Sequence, residues 1–253
     1  MFCENPVRAL VVPIISLALS GCGFSTSTEM PYASPPVVAA TRTPGKQVTV
    51  GVAQFHDKRP WVDTSDPHSE GIIGDALTPS GESLGPRYRQ GMTYHGRDYF
   101  PVKDFIQLVL IDQLRSSGFD ARLIDRIVSR DDDRELEAAG QQAGVEYVVA
   151  GDVLKFQWEL AFSINPDLNT AMELRRYLVI LPVTLVRTAG ARRLIDRPFL
   201  KAAEFPLDEI MTNHYRAYNQ VLLEQFNKVV AQIVQEIAAK TVSLEAPSPS
   251  ASR

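Results

Sequence analysis

The run Val145-Glu146-Tyr147-Val148-Val149-Ala150-Gly151-Asp152-Val153 constrains this chain most. It is almost continuously apolar, β-branched and aromatic, and too short for a core helix, so it reads as a central strand buried on both faces. Such a strand needs layers above and below it, and the residues before it supply them. Gln47 to Phe55 places Val48, Val50 and Val52 in alternation and reads as a first buried strand. Pro101 opens a predicted helix through Ser117, with Val102, Phe105, Ile106, Val109, Leu110 and Leu114 on one face and Gly118 as its stop. Phe119 to Ile124 gives a second strand. Asp132 and Glu135 then form a capping-box signature for a short helix carrying Leu136, Ala139 and Ala143, ended by Gly144. Strand, helix, strand, helix, strand is the order of a parallel βαβαβ unit with right-handed crossovers.

After Val153 the period changes to strict alternation. Leu154, Phe156, Trp158, Leu160, Phe162 and Ile164 fall on one side of a half-buried strand. Asn165 to Asn169 supplies turn residues, and Tyr177, Val179, Leu181, Val183 and Leu185 return antiparallel. Thr188 to Ala191 turns the chain into Arg192 to Glu204, so the second half reads as an antiparallel meander. Tyr215 to Val242 is a long helix whose stripe of Tyr218, Leu222, Phe226, Val229, Ile233 and Ile237 should cover one face of the sheet. The expectation is a single α/β domain with a mixed sheet over residues 47–242. It contains a long loop at 56–100, with Ile72-Ile73 and Met92-Thr93-Tyr94 as the best sites for short strands inside it.

The amino terminus specifies an address. An apolar run from Ala9 to Leu19 follows Arg8, is too short to span a bilayer as a helix, and closes on Leu19-Ser20-Gly21-Cys22. These residues resemble a bacterial lipobox, which implies a signal peptide at 1–21 and acylation of Cys22. By resemblance to the sorting rule of enteric bacteria, Gly23, not being Asp, implies transfer to the outer membrane, facing the periplasm. Residues 22–46, rich in Ser, Thr, Pro and Ala, read as a flexible tether, and 243–253 as a disordered tail. With Cys3 in the leader and Cys22 lipidated, no disulfide is expected. A net charge of −4 gives no reason to expect nucleic acid.

Val50 to Phe55 with Asp57 and Arg59-Pro60 resembles the opening strand and loop of an envelope lipoprotein group that includes YajG. Val145 to Val153 resembles a later strand shared with the TolB amino-terminal domain and the curli secretion lipoprotein. The resemblance implies an α/β fold used for protein contacts at the bacterial envelope.

Catalytic patterns are missing: no Gly-rich phosphate loop follows a strand, and there is no nucleophile elbow. His56, Asp57, His68 and His95 with Asp63, Asp66 and Glu70 could supply metal ligands, but no pair has the His-x-x-x-His spacing of a helical site, and neither metal nor cofactor is expected. His214 reads as a partner of local backbone groups. Arg59 and Trp61 are the candidate interaction residues, an exposed guanidinium and aromatic of the kind that dominates protein interfaces, with the alternative that Trp61 folds onto the sheet. The leading expectation is a non-enzymatic lipoprotein, held at the membrane through Cys22 and docking envelope proteins, of undefined oligomeric state. The runner-up is an oligomeric secretion or pore subunit of the curli type, because the strands at 154–164 and 177–185 alternate as transmembrane β-strands do. A third reading is an envelope hydrolase using the histidine-rich loop.

Overall fold

The computed structural model describes residues 28–29, 47–63, 65–76, 90–165, 170–206 and 216–242. These form a curled mixed sheet with helices on both faces. The strands are β1 (Thr28–Glu29), β2 (Thr49–Gln54), β3 (His56–Asp57), β4 (Ile72–Ala76), β5 (Gln90–Thr93), β6 (Asp120–Ile127), β7 (Tyr147–Val153), β8 (Lys155–Asn165), β9 (Thr170–Arg187) and β10 (Arg192–Pro206). The helices are α1 (Val102–Ser116), α2 (Asp133–Ala143) and α3 (Arg216–Val242).

The first half is the expected βαβαβ unit. β2 lies between β6 and β7 and is parallel to both. Its alternating valines and the continuous apolar run of β7 are fully buried, as a strand covered on both faces requires. α1 packs on one face and α2 on the other. Gly118 and Gly144 both have positive φ, +88° and +62°, and stop their helices as a residue without a Cβ can. Asp132 caps α2 by accepting from the amides of Arg134 and Glu135 at 3.0 and 3.1 Å. The capping box is not reciprocal, because the Glu135 carboxylate accepts from the Ser129 amide instead, at 3.0 Å. A register break between Ala53 and Gln54 disturbs the β2–β6 ladder. Buried Gln107 bridges it, its Nε2 donating to the carbonyls of Val52 at 2.9 Å and Ile124 at 3.1 Å.

β9 organises the second half. β10 runs antiparallel along one of its edges, while β8 and then β7 share the other. β7 and β8 are nearly one strand, interrupted where Asp152, Val153 and Leu154 stand opposite only Leu181 and Pro182, between the pairs Gly151↔Val183 and Lys155↔Ile180. This bulge moves every later side chain to the other face. Odd-numbered Tyr147, Val149 and Val153 therefore share the main core with even-numbered Phe156 and Trp158. Leu154, expected inside, is the bulged residue and is exposed.

The main core lies between the sheet and the pair α1 and α3. Phe226 of α3 meets Phe105 of α1 and Phe156 of β8, with ring centroids 5.2 and 5.3 Å away. A smaller cluster of Ala53, Ile124, Val148, Ala150 and Val186 fills the other face under Leu136 and Ala139 of α2. The two short strands anticipated within 56–100 are present as β4 and β5. They extend the sheet, β4 pairing parallel with β8 and β5 antiparallel with β4. Trp158 lies directly over Gly74 of β4, so that any Cβ there would fall inside the indole. Within the stretch read as a flexible tether, Thr28–Glu29 pairs parallel with β5.

Candidate functional site

Open α/β sheets place their ligands beyond the carboxyl ends of the parallel strands. In this protein β2, β6 and β7 end at a chain of ion pairs. Asp152, at the end of β7, is buried and receives Lys58 Nζ at 2.9 Å and Arg130 Nε at 3.0 Å. Arg130 reaches on to Asp196 of β10 at 3.2 Å. Asp196 also accepts from the Thr184 hydroxyl at 3.1 Å and pairs with Arg193 at 3.0 Å. Arg193 Nε closes the chain on Asp133, in the first turn of α2, at 2.5 Å. The hydrogen bond that Arg193 donates to Asp133 holds the guanidinium above its ordinary pKa, against a smaller opposing effect of desolvation. Each carboxylate here is already engaged by a cation, so the arrangement ties the β2 loop, β6, β7, α2 and β10 together. Sequence reasoning took Arg193 for a charge guarding a strand edge and assigned none of these residues to a site. The one available signal was Asp152, a charge inside an otherwise apolar strand.

The loop after β2 contradicts the expectation for Arg59. Its guanidinium is buried, not exposed, and its partners are internal. Nε and Nη2 hold the Asp57 carboxylate in a fork at 2.9 and 2.6 Å. Nη2 also donates to the Glu70 carbonyl at 2.6 Å, and Nη1 donates to the Ile72 carbonyl. Arg59 thus pins the returning chain at the start of β4, satisfying carbonyls that the loop would otherwise leave buried and unpaired. Trp61 is half-buried beside β8, its ring 5.8 Å from the Arg59 guanidinium and 5.9 Å from Lys155 Nζ.

The histidine-rich set is dispersed. His56 is exposed on β3, His68 stacks on Tyr99 at 4.8 Å, and His95 on Tyr94 at 4.0 Å. The acids expected beside them have separate local partners. The Asp63 carboxylate accepts from the Ser65 amide and hydroxyl, both at 2.8 Å, which lowers its pKa. Asp66 accepts from the His68 amide at 2.9 Å, and Glu70 pairs with Lys103 at 2.6 Å. Among the described residues no three His, Cys, Asp or Glu side chains converge on a common point. Cys22 and His214 lie outside the described residues.

No helix among the described residues is long and apolar enough to cross a membrane. The chain matches no family model and no curated protein sequence. Among solved structures it is similar to a Xanthomonas campestris protein of the DUF330 family, at 15% identity and a TM-score of 0.48 over 87% of this chain and 97% of that one. It is also similar to a homolog of neuraminyllactose-binding hemagglutinin from Helicobacter pylori, at 10% identity and TM-score 0.40 over 86% and 96% of the two chains. A third similarity is to lipoprotein GNA1162 from Neisseria meningitidis, at 15% identity and TM-score 0.28 over 74% and 99%.

Proposed function

We propose that this protein is an acylated envelope lipoprotein, anchored through Cys22 at the periplasmic face of the outer membrane, and that it acts as a non-enzymatic docking or assembly component there. The observation that carries the reading is Leu19-Ser20-Gly21-Cys22 closing the apolar run from Ala9. The strand ends support the non-enzymatic part, because the charged groups where a ligand would bind are spent on one another.

The pore reading loses its main support. Phe156 and Trp158, two of the six residues on the alternating face that suggested a lipid-facing strand, lie in the protein core. β8 beyond its pairing with β4 keeps only Ala161–Asn165, against the 9–11 residues or so that a β-strand needs to cross a bilayer. Among the described residues the histidine-rich loop brings no three potential ligands together, so it does not favour the hydrolase reading. Fractionation of cells making Cys22→Ser tests the proposal. The variant should be unprocessed or soluble and lost from the outer membrane, and outer-membrane recovery equal to that of the parent would refute it.

A further inference from the structure

We infer that the open edge of β6 is an interface for a second copy of this chain, the two β6 strands pairing antiparallel about a twofold axis at Leu123. The inference does not depend on the lipid anchor and follows from comparing the edges of the sheet. The outer edge of β5 is taken by β1. β10 carries Pro198, Pro206 and Lys201, residues with which sheets guard an edge against a further strand. β6 pairs with β2 on one side and, among the described residues, with no strand on the other. It contains neither proline nor lysine. Leu123 and Ile127, 48% and 41% exposed, both lie on it, and the other large apolar side chains exposed among the described residues are Leu154 and Leu200.

Backbone and charges select one register. The Asp120 amide donates to the Val48 carbonyl at 3.0 Å, and alternate residues of a ladder turn to the same side. Asp120, Arg122 and Ile124 therefore bond toward β2, which leaves the amides and carbonyls of Ala121 and Leu123 pointing outward. Setting Leu123 opposite the partner's Leu123 lets each donate its amide to the other's carbonyl. In this register Asp120 stands near the partner's Arg126, and Arg126 near the partner's Asp120. Arg126 is exposed and makes no ion pair among the described residues. Asp120 holds Arg122 through Oδ2, at 3.0 and 2.6 Å, which leaves its other oxygen for a second guanidinium. Moving the axis by one residue either way sets Arg122 against the partner's Arg122 or the partner's Arg126, and like charges directly opposite are destabilising.

The covering helix permits the approach. Ala121 belongs to the main core, and Ile127 stands opposite Gln54, whose amide donates to Asp104 of α1. Leu123, two residues beyond Ala121, and Ile127 therefore share the α1 face. Gln107 of α1 bonds carbonyls of both β2 and β6, which centres the helix over the seam between them. Strands lie about 4.8 Å apart, so a helix over that seam stands roughly 5 Å from an axis set half a spacing beyond β6. Its symmetry mate is then about 10 Å away, the distance at which helices pack. The pairing joins two sheets into one, covers both copies of Leu123 and closes at two chains.

The test uses the full chain, purified from its host in mild detergent. Sedimentation equilibrium at micromolar concentration should give twice the protomer mass. Leu123→Glu, a change at an exposed position, sets two carboxylates against each other and should weaken the dimer roughly tenfold or more, with the circular dichroism of the parent retained. Leu123→Cys should form a covalent dimer under mild oxidation, since the Cα atoms of such a pair lie about 5.5 Å apart, within the range a disulfide spans. Asp125→Cys, whose two copies would be separated by roughly 13 Å along the strands, should give no more covalent dimer than the parent. A parent that sediments as a monomer would overturn the inference. So would an assembly untouched by Leu123→Glu, a Leu123→Cys yield no higher than the parent's, or an equal yield from Asp125→Cys.

Discussion

Replacing Arg59 with methionine should be among the most damaging single changes available. The Arg59 side chain is fully buried and that of its partner Asp57 is 3% exposed, so the methionine leaves a carboxylate out of water with only the Arg59 amide, at 3.2 Å, still donating to it. Removing one member of a buried pair costs about 3 to 5 kcal/mol. The carbonyls of Glu70 and Ile72 lose their donors as well, at up to about 1 to 3 kcal/mol each where water cannot replace them. These losses share one site and do not add, so we expect about 4 kcal/mol, a large part of a typical stability of about 5 to 15 kcal/mol. Urea unfolding of the Cys22→Ser protein measures it. With a slope of about 2 kcal/mol per molar, the midpoint should fall by roughly 2 M with the slope unchanged. Adding Asp57→Asn removes the stranded charge and should recover about half of the loss. A single-variant loss below about 1 kcal/mol, the value of an exposed pair, would refute the pin.

Truncating Trp158 to alanine should cost about 3 to 5 kcal/mol in the same assay. Gly74→Ala should be destabilising in the parent but much less so when Trp158 is already alanine, because the indole is what the new methyl would strike. Burial, and then the charge of Asp112, raise the Tyr94 pKa, so in the native protein Tyr94 should ionise above the ordinary range near 10 in an ultraviolet titration, and Tyr94→Phe should reduce the late-ionising amplitude by one residue. The neutral phenol is the favoured native form, so this contribution is complete below the unfolded pKa and disappears as pH rises through the folded one. A chelator should leave the melting temperature unchanged, as expected when no ligand stabilises the folded state, and a drop restored by zinc would contradict that.

What the sequence conveyed well was local and periodic. Val48, Val50 and Val52, the apolar face of α1, the glycines at 118 and 144 and the continuous run of β7 each declare an element through period or backbone demand, and their order implies the parallel unit. Ile72-Ile73 and Met92 to Tyr94 were legible as short strands, but that β4 would pair parallel with β8 was not, because long-range pairing leaves no local mark. Leu154 shows a different limit. Its alternation with Phe156 and Trp158 was real, yet a bulge opposite Leu181 and Pro182 shifted the phase by one residue, and nothing in a strand's period reveals a bulge. Arg59 misled through its type, since arginine in a Pro- and Gly-rich loop is ordinarily solvated, and only the fold brings Asp57 and the carbonyls of Glu70 and Ile72 around it. The ion-pair chain at the strand ends was hidden for the same reason, its members being spread from Lys58 to Asp196.

The mass of the intact mature protein, taken from the outer-membrane fraction without thiol reagents, tests the central claim most directly. The account predicts a mature chain that begins at Cys22 and carries the added mass of acyl groups on that first residue. A chain with a free thiol at Cys22, or one that begins at any other residue, would contradict it.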